Sequence, residues 1–195
     1  MTHPDDGIVP GDRRTPDLEI VPDDKDWTWT LERSCPDCGF SAGTVEPADI
    51  AGAYELFAEP WQEVLARPDA TSRPRRGVWS PLEYGCHVRD VCRLFDERLA
   101  LMLTEVNPTF SNWDQDETAV ADRYAEQQPG QVAAELVASA QRIAAGYERV
   151  SGEEWSRPGL RSNGSTFTVL TLGQYGLHDL AHHLWDVGVP LPRRR

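Results

Sequence analysis

Three histidines, His87, His178 and His182, have the residue type and the spacing of a metal site. His178 and His182 are four residues apart in a segment with the pattern of a helix. Since one helical turn takes about 3.6 residues, both imidazoles project from one face and can reach a single ion. His87 lies on another predicted helix, at the border of its apolar face. These three residues are therefore the predicted metal ligands, and the alternative is that they are ordinary polar residues at helix borders.

Three neutral imidazoles would leave a divalent ion its full charge and leave coordination positions open for water or substrate. Such an ion lowers the pKa of bound water to about 7, or deprotonates a coordinated thiol. Zinc is the first choice, and nickel, iron(II) or manganese also accept imidazole ligands. Carboxylates nearby could act as general bases or orient the imidazoles. These candidate catalytic residues are Glu83, Asp90 and Asp186, and each could equally be a solvated surface charge.

His183 competes with the predicted ligands on the same helix. It is four residues from Asp179 and about 100° around the helix from His182. His183 could orient a ligand or face the substrate. The alternative is that His183 is a partly exposed side chain without a role in the site.

A second candidate for metal binding is the turn that contains Cys35 and Cys38. It resembles half of a zinc knuckle, which needs two more ligands. Cys86 and Cys92 are candidates, but six helical residues would place them about 120° apart, so they cannot easily close a site together. A redox pair and a plain structural turn are the alternatives.

Hydrophobic periodicity predicts four long amphipathic helices that would position these residues. The first should begin near Pro47 and be kinked or divided at Pro60. The second should begin at Ser80, with a capping box to Glu83. The others should begin near residue 129 and run over about 168–187. A short acidic helix is expected over 116–126, and a short strand or extended segment over 27–31. Glycines at 173 and 176 suggest close approach of another backbone or a ligand.

The pattern of four helices with little strand signal predicts an all-α protein, a four-helix bundle with an extended N-terminal arm. The 195 residues suit one domain. We expect an acidic, largely irregular arm over residues 1–46, a bundle over 47–190 and a basic tail over 191–195. The second and last helices would have to be neighbours for the predicted ligands to meet.

The net charge of −13 argues against nucleic acid and anionic membranes as partners. No apolar run approaches the roughly 20 residues that span a bilayer. The N-terminal residues lack the features of an export signal. A cytoplasmic protein that acts on a small molecule is the resulting expectation.

The order and spacing of the motifs over about residues 48–188 resemble the DinB/YfiT-like superfamily. The residues that carry this resemblance are Trp79, Ser80, Pro81, Leu82, Glu83, His87, Asp90 and the segment 178–183. The resemblance implies a four-helix bundle, a three-histidine metal centre at His87, His178 and His182, and a homodimer. It implies nothing for the arm or for the cysteine turn.

Relatives in that superfamily include S-transferases and isomerases that use mycothiol or bacillithiol, and metal-dependent hydrolase-like proteins. The first expectation is therefore a metal-dependent enzyme that uses a mycothiol-type thiol for S-transfer or isomerisation of a small electrophile. Positive charge for a charged thiol could come from Arg89, Arg93 or Arg161. A hydrolase that uses metal-bound hydroxide and a non-enzymatic metal-binding or interaction bundle are the alternatives.

Overall fold

The fold is taken from a computed structural model of the chain that describes Ile20 and residues 25–192. Much of the predicted acidic arm, and residues 193–195 of the predicted basic tail, lie outside the described residues. The division into arm, bundle and tail therefore stays a prediction. Among the helices of residues 25–192, none combines the length and the apolar character that crossing a membrane requires.

The described residues are mostly helical, which confirms the all-α class and the four-helix bundle. The six α-helices are α1 Pro47–Ala58, α2 Trp61–Leu65, α3 Pro81–Thr104, α4 Gln115–Ala121, α5 Pro129–Glu148 and α6 Val169–Asp186. The four bundle helices are α1, α3, α5 and α6, and α6 packs against both α1 and α3. The required contact between the helix of His87 and the helix of His178 is therefore present.

The helix ends follow from local chemistry. The Ser80 hydroxyl accepts a hydrogen bond from the Glu83 backbone N–H, and the Glu83 carboxylate accepts one from the Ser80 N–H. This confirms the predicted capping box at the start of α3. Pro60 divides the first predicted helix into α1 and α2. Gly188 follows α6 with a φ of +73°, the left-handed backbone that favours glycine after a helix.

Close packing fixes α6 in the bundle. A side chain on Gly176 would overlap the Tyr54 hydroxyl and the Phe95 ring, and one on Gly173 would overlap the Tyr147 ring. The expected close approach is present at both glycines, but aromatic side chains make it, not the backbone or ligand that the sequence suggested. The two tyrosine rings stack 5.8 Å apart beneath α6. These contacts set how near α6 lies to its neighbours.

A small sheet lies beside the bundle and was not predicted. Its strands are β1 Thr109–Phe110, β2 Pro158–Arg161 and β3 Thr166–Thr168, in the order β1-β2-β3. β1 runs parallel to β2, and β2 runs antiparallel to β3. Strands of two to four residues are too short for a period-two pattern to be visible in the sequence.

The expectation of a strand or extended segment over residues 27–31 is wrong, because Thr28–Leu31 is a 3₁₀ helix. The Asp26 carboxylate accepts a hydrogen bond from the Thr28 N–H and stabilises this turn. A second 3₁₀ helix spans Ala42–Thr44, and both pack against α6. The Gln174 side chain of α6 donates hydrogen bonds to backbone carbonyls of Gly43 and Val45. The described N-terminal segment is thereby tied to the helix that carries the histidine pair.

Candidate metal centre

The structure brings the predicted ligands to the contact between α3 and α6 but divides them between two clusters. The first, the His87 cluster, consists of His87, Asp179 and His183. The second, the Cys–His cluster, consists of Cys35, Cys38, His178 and His182. In each cluster, one ligand atom per residue lies within 4.8 Å of all the others. The predicted set of His87, His178 and His182 is not one of the two groupings found among the described residues.

The His87 cluster converges on one carboxylate oxygen. The Nε2 atom of His87 lies 3.1 Å from Asp179 Oδ1, and the Nε2 atom of His183 lies 3.4 Å from the same oxygen. Ligands about 2.0–2.1 Å from a zinc ion, at tetrahedral or octahedral angles, are about 2.9–3.4 Å apart. The two separations from Asp179 therefore match those of ligands that share one ion, and the third pair of ligand atoms lies within 4.8 Å. His87 comes from α3, and the other two come from α6.

Asp186 orients His183. The Nδ1 atom of His183 lies 2.7 Å from Asp186 Oδ2. When Nδ1–H donates to this carboxylate, Nε2 is left with a free lone pair for an ion, the usual arrangement around metal-binding histidines. The predicted catalytic residue Asp186 thus lies beside the candidate centre, where it contacts a ligand.

Aromatic rings enclose His87. Its ring stacks on Trp113 with centroids 5.2 Å apart, and Trp79 lies 5.4 Å away at a tilt. His87 is fully buried. Contact with these two rings restricts the imidazole, and its Nε2 atom faces Asp179.

The charge state of Asp179 suits a metal ligand. Burial raises its pKa, but the charge and hydrogen bond of His87, together with the charges of His183 and His178, outweigh this effect. The pKa of Asp179 therefore lies well below its ordinary range, and the carboxylate is ionised at neutral pH. One anionic oxygen and two imidazoles make a mixed ligand set in place of the three imidazoles expected from the sequence.

The Cys–His cluster joins the N-terminal turn to α6. The Sγ atom of Cys35 lies 3.6 Å from His182 Nδ1. Burial lowers the pKa of His178 to about 4, and burial together with the charge of His183 lowers that of His182, so both imidazoles are neutral at pH 7. Burial raises the pKa of the Cys38 thiol to about 12. This cluster supplies the two further ligands that the cysteine turn lacked in the sequence.

A cavity of about 420 Å³ borders both clusters. It is lined by Asp179 and His183 of the His87 cluster, by His178 and His182 of the Cys–His cluster, and by Arg98 and Arg161. Both arginines are buried, and within residues 25–192 neither forms a salt bridge with a carboxylate. Burial and the nearby charge of Arg161 lower the pKa of Arg98 to about 10, so the Arg98 guanidinium remains charged at pH 7. The two guanidiniums place positive charge on the cavity wall, which the carboxylates of Asp26, Asp114 and Asp116 also line.

Two predicted catalytic carboxylates have structural partners. Glu83 closes the capping box of α3 and forms a salt bridge with Arg73. Asp90 pairs with Arg89 and Arg93. Neither carboxylate lines the cavity. Of the arginines proposed to supply positive charge, Arg89 and Arg93 are held by Asp90, and only Arg161 lines the cavity.

The other two cysteines lie outside both clusters. The Cys86 thiol is 3.9 Å from the Tyr124 carbonyl and 3.5 Å from the Gln127 side chain. Cys92 is buried in the core. Neither joins Cys35 and Cys38 in a metal-binding group of described residues.

The sequence carried a signal for Asp179 and His183 as ligands. Asp179 and His183 have the same four-residue spacing as His178 and His182, shifted by one position. A shift of one residue is a rotation of about 100° around the helix. Which pair faces α3 depends on the rotation of α6, which its packing determines.

A search of curated proteins finds no match to this chain. Among solved structures, the chain is similar to YfiT from Bacillus subtilis, described as a probable metal-dependent hydrolase with an unusual four-helix bundle topology. The sequences are 19% identical, the TM-score is 0.63, and the match covers 71% of this chain and 82% of YfiT. At this identity the likeness concerns the fold.

The family model of the DinB superfamily matches residues 61–187. This match begins at α2 and includes both α3 and α6, and with them every member of the His87 cluster. It ends before Gly188 and leaves out the turn with Cys35 and Cys38. The match covers more than half of the 195 residues, and the chain belongs to the DinB superfamily.

Proposed function

We propose that this protein is a metal-dependent enzyme, most simply a hydrolase, with a divalent ion held by His87, Asp179 and His183. The observation that carries the proposal is the convergence of two Nε2 atoms on Asp179 Oδ1, 3.1 and 3.4 Å away, beside a cavity. Of the three ligands predicted from the sequence, this assignment retains His87 and replaces His178 and His182 with Asp179 and His183.

The donor set favours hydrolysis. Two histidines and one carboxylate are the protein ligands of catalytic zinc in several peptidases, where the fourth position stays open. An ion bound here would act as a Lewis acid that lowers the pKa of a small nucleophile. Asp186 holds the His183 ring in place, and Asp179 offsets part of the charge of the ion. Zinc remains the first choice, and iron(II) also accepts this ligand set.

Two buried arginines on the cavity wall support a proposal for the substrate class. Arg98 and Arg161 present two buried guanidiniums to the same cavity as the His87 cluster. The Arg98 Nε atom is buried without a hydrogen-bond partner among the described residues. A buried donor without an acceptor costs free energy, so a negatively charged ligand that accepts from Nε would relieve it. We therefore propose small anionic substrates, such as carboxylate-bearing esters or amides.

Thiol transfer is the second candidate, and the size of the cavity favours it. About 420 Å³ lies within the range of pockets for whole small-molecule ligands, so a low-molecular-weight thiol and a small electrophile could share it. A mycothiol-type thiol would then take the place of water as the nucleophile. The same side chains would hold the ion in both reactions.

Metal analysis and a substrate panel test the proposal. His87→Ala and His183→Ala should each abolish metal-dependent turnover, whereas His3→Ala, a matched histidine change, should not. The panel pairs anionic esters with neutral ones and is assayed with and without mycothiol. Faster hydrolysis of the anionic esters without thiol supports the hydrolase, and strict thiol dependence supports the second candidate. Equal turnover by wild type and His87→Ala would overturn the metal assignment.

A further inference from the structure

We infer that Cys35, Cys38, His178 and His182 form a separate, structural zinc site that joins the N-terminal segment to α6. This site is independent of the proposed catalytic centre, because the two share no ligand. Its ligand spacing is C-x₂-C with H-x₃-H, as in Cys₂His₂ zinc sites. Here the two halves are far apart in the chain, so only the fold brings them together.

The separation of Cys35 and His182 matches that of two ligands of a tetrahedral zinc ion. Zinc–sulfur and zinc–nitrogen bonds of about 2.3 and 2.0 Å place sulfur and nitrogen ligands about 3.5 Å apart at the tetrahedral angle. The observed separation of Cys35 Sγ and His182 Nδ1 is 3.6 Å. The ligand atoms of Cys38 and His178 lie within 4.8 Å of these two and of each other. Four protein ligands complete the shell of a structural zinc ion and leave no open position.

The backbone of the cysteine turn is already shaped for an ion. The Gly39 N–H donates to the Cys35 carbonyl, and the Cys35 N–H donates to the Phe40 carbonyl. Gly39 has a φ of +73°, which permits the tight return of the chain after Cys38. Both cysteines are thereby held toward α6 before any ion binds.

An unpartnered buried atom provides an independent observation. The Nε2 atom of His178 is buried and has no hydrogen-bond partner among the described residues, and His178 as a whole is only 4% exposed. A buried polar atom without a partner costs free energy. An ion bound through Nε2 would supply the missing partner.

The zinc ion would shape the cavity indirectly. The Trp27 ring lies 5.5 Å from the His178 ring and 5.1 Å from the His182 ring, and Trp27 lines the cavity. An ion that holds the His178 and His182 rings would therefore also hold Trp27, which packs on both rings, in the wall of the cavity. The ion is structural in this role, because it has no position left for substrate.

Cobalt substitution of the full chain tests the inference. Cobalt(II) bound by thiolate absorbs in the near ultraviolet through sulfur-to-metal charge transfer, and the His87 cluster contains no sulfur. Wild-type protein loaded with cobalt under reducing conditions should show this band. His87→Ala should keep it. A wild-type spectrum without the band would overturn the inference while leaving the proposed enzyme untouched.

Zinc content gives the second readout. Zinc-loaded wild type should contain two ions per chain, and Cys35→Ala and Cys38→Ala should each contain one. Cys92→Ala, the matched control in the core, should contain two. Unchanged stoichiometry in both cysteine variants would contradict the site. So would thiol titration that finds Cys35 and Cys38 joined in a disulfide in zinc-loaded wild type kept without reductant, which would identify a redox pair.

Discussion

The carboxylate of Asp186 lies near a histidine of each cluster. Its Oδ2 atom lies 2.7 Å from His183 Nδ1 and 4.0 Å from His182 Nε2. Asp186 therefore lies near Nδ1 of His183, whose Nε2 faces the His87 cluster. It also lies near Nε2 of His182, whose Nδ1 faces Cys35. Partners of this kind fix the tautomer and raise the basicity of metal-binding histidines.

We predict that Asp186→Asn weakens metal binding without removing any ligand. The amide can still accept a hydrogen bond but carries no charge, and loss of such a partner typically costs about 10–100-fold in metal affinity. Competition between the protein and a zinc indicator dye would measure this change. Glu153→Gln, at an exposed position, serves as the control. An affinity equal to that of wild type would show that Asp186 does not support the ligands.

Asp90 makes a different contribution, to stability. Its carboxylate accepts two hydrogen bonds from Arg89, each 2.9 Å long, and one from the Tyr124 hydroxyl at 2.7 Å. Burial raises the pKa of Asp90, but these hydrogen bonds and the arginine charges outweigh it, so the pKa lies below its ordinary value. Asp90 therefore adds stability above the unfolded pKa of about 3.9, and this contribution is lost as pH falls through the folded pKa.

The corresponding prediction concerns Asp90→Asn. At pH 7 the free energy of unfolding should fall by about 2 kcal/mol, the typical size of hydrogen bonds to charged groups. The difference from wild type should shrink as the pH falls below about 4. Urea unfolding at a series of pH values would measure it. A difference that stays constant down to pH 2 would contradict the pKa argument.

At the scale of elements, the close approach at Gly176 governs the position of α6. The Tyr54 hydroxyl and the Phe95 ring occupy the space that a side chain at this position would need. Because these residues belong to α1 and α3, one glycine sets the distance of α6 from two neighbouring helices. The metal ligands of α6 depend on that distance.

Gly176→Ala should therefore destabilise the bundle although alanine favours helices. We expect a loss of about 1–3 kcal/mol, as is typical of overpacking. Gly130→Ala is the matched control, because nothing lies within 4 Å of its added carbon in α5, and it should stabilise by up to about 1 kcal/mol. Thermal or urea unfolding compares the two. Equal effects at both positions would rule out a steric role for Gly176.

The elements that the sequence predicted are those with local signals. The capping box of Ser80 indicates where α3 begins, and Pro60 indicates the break between α1 and α2. The sheet lacked such a signal, because its strands are short and their pairing depends on distant segments. The 3₁₀ helix Thr28–Leu31 was missed because alternation over five residues does not distinguish a strand from a turn packed on α6.

The candidate site was predictable only in part for a related reason. The sequence placed His87 on α3 and the histidines on one last helix, and the structure brings those helices together. Helical spacing alone could not choose between the pair His178/His182 and the pair Asp179/His183. That choice follows from tertiary packing, as does the pairing of Cys35 with His182, which are 147 residues apart.

At the scale of the whole molecule, both clusters link segments that are distant in the chain. The His87 cluster joins α3 to α6, and the Cys–His cluster joins the N-terminal turn to α6. Because the ligands of each ion assemble only in the folded chain, metal binding and folding should be coupled.

We predict that zinc raises the free energy of unfolding in proportion to the logarithm of its free concentration. One site contributes about 2.7 kcal/mol at 100 times its dissociation constant. Urea unfolding in zinc buffers would measure the slope. His87→Ala and Cys38→Ala should each lower the slope, and the double variant should remove it. A zinc-independent free energy in wild type would show that neither ion binds the native state preferentially.

Because the two pairs of candidate ligands alternate along α6, the rotation of this helix about its axis decides which pair faces α3. A turn of the helix about its own axis by one residue would present His178 and His182 to α3 and swing Asp179 and His183 away. The aromatic side chains packed against Gly173 and Gly176 hold the helix at one rotation. Substitutions at these glycines would therefore change which side chains of α6 meet His87, even though every candidate ligand is still present.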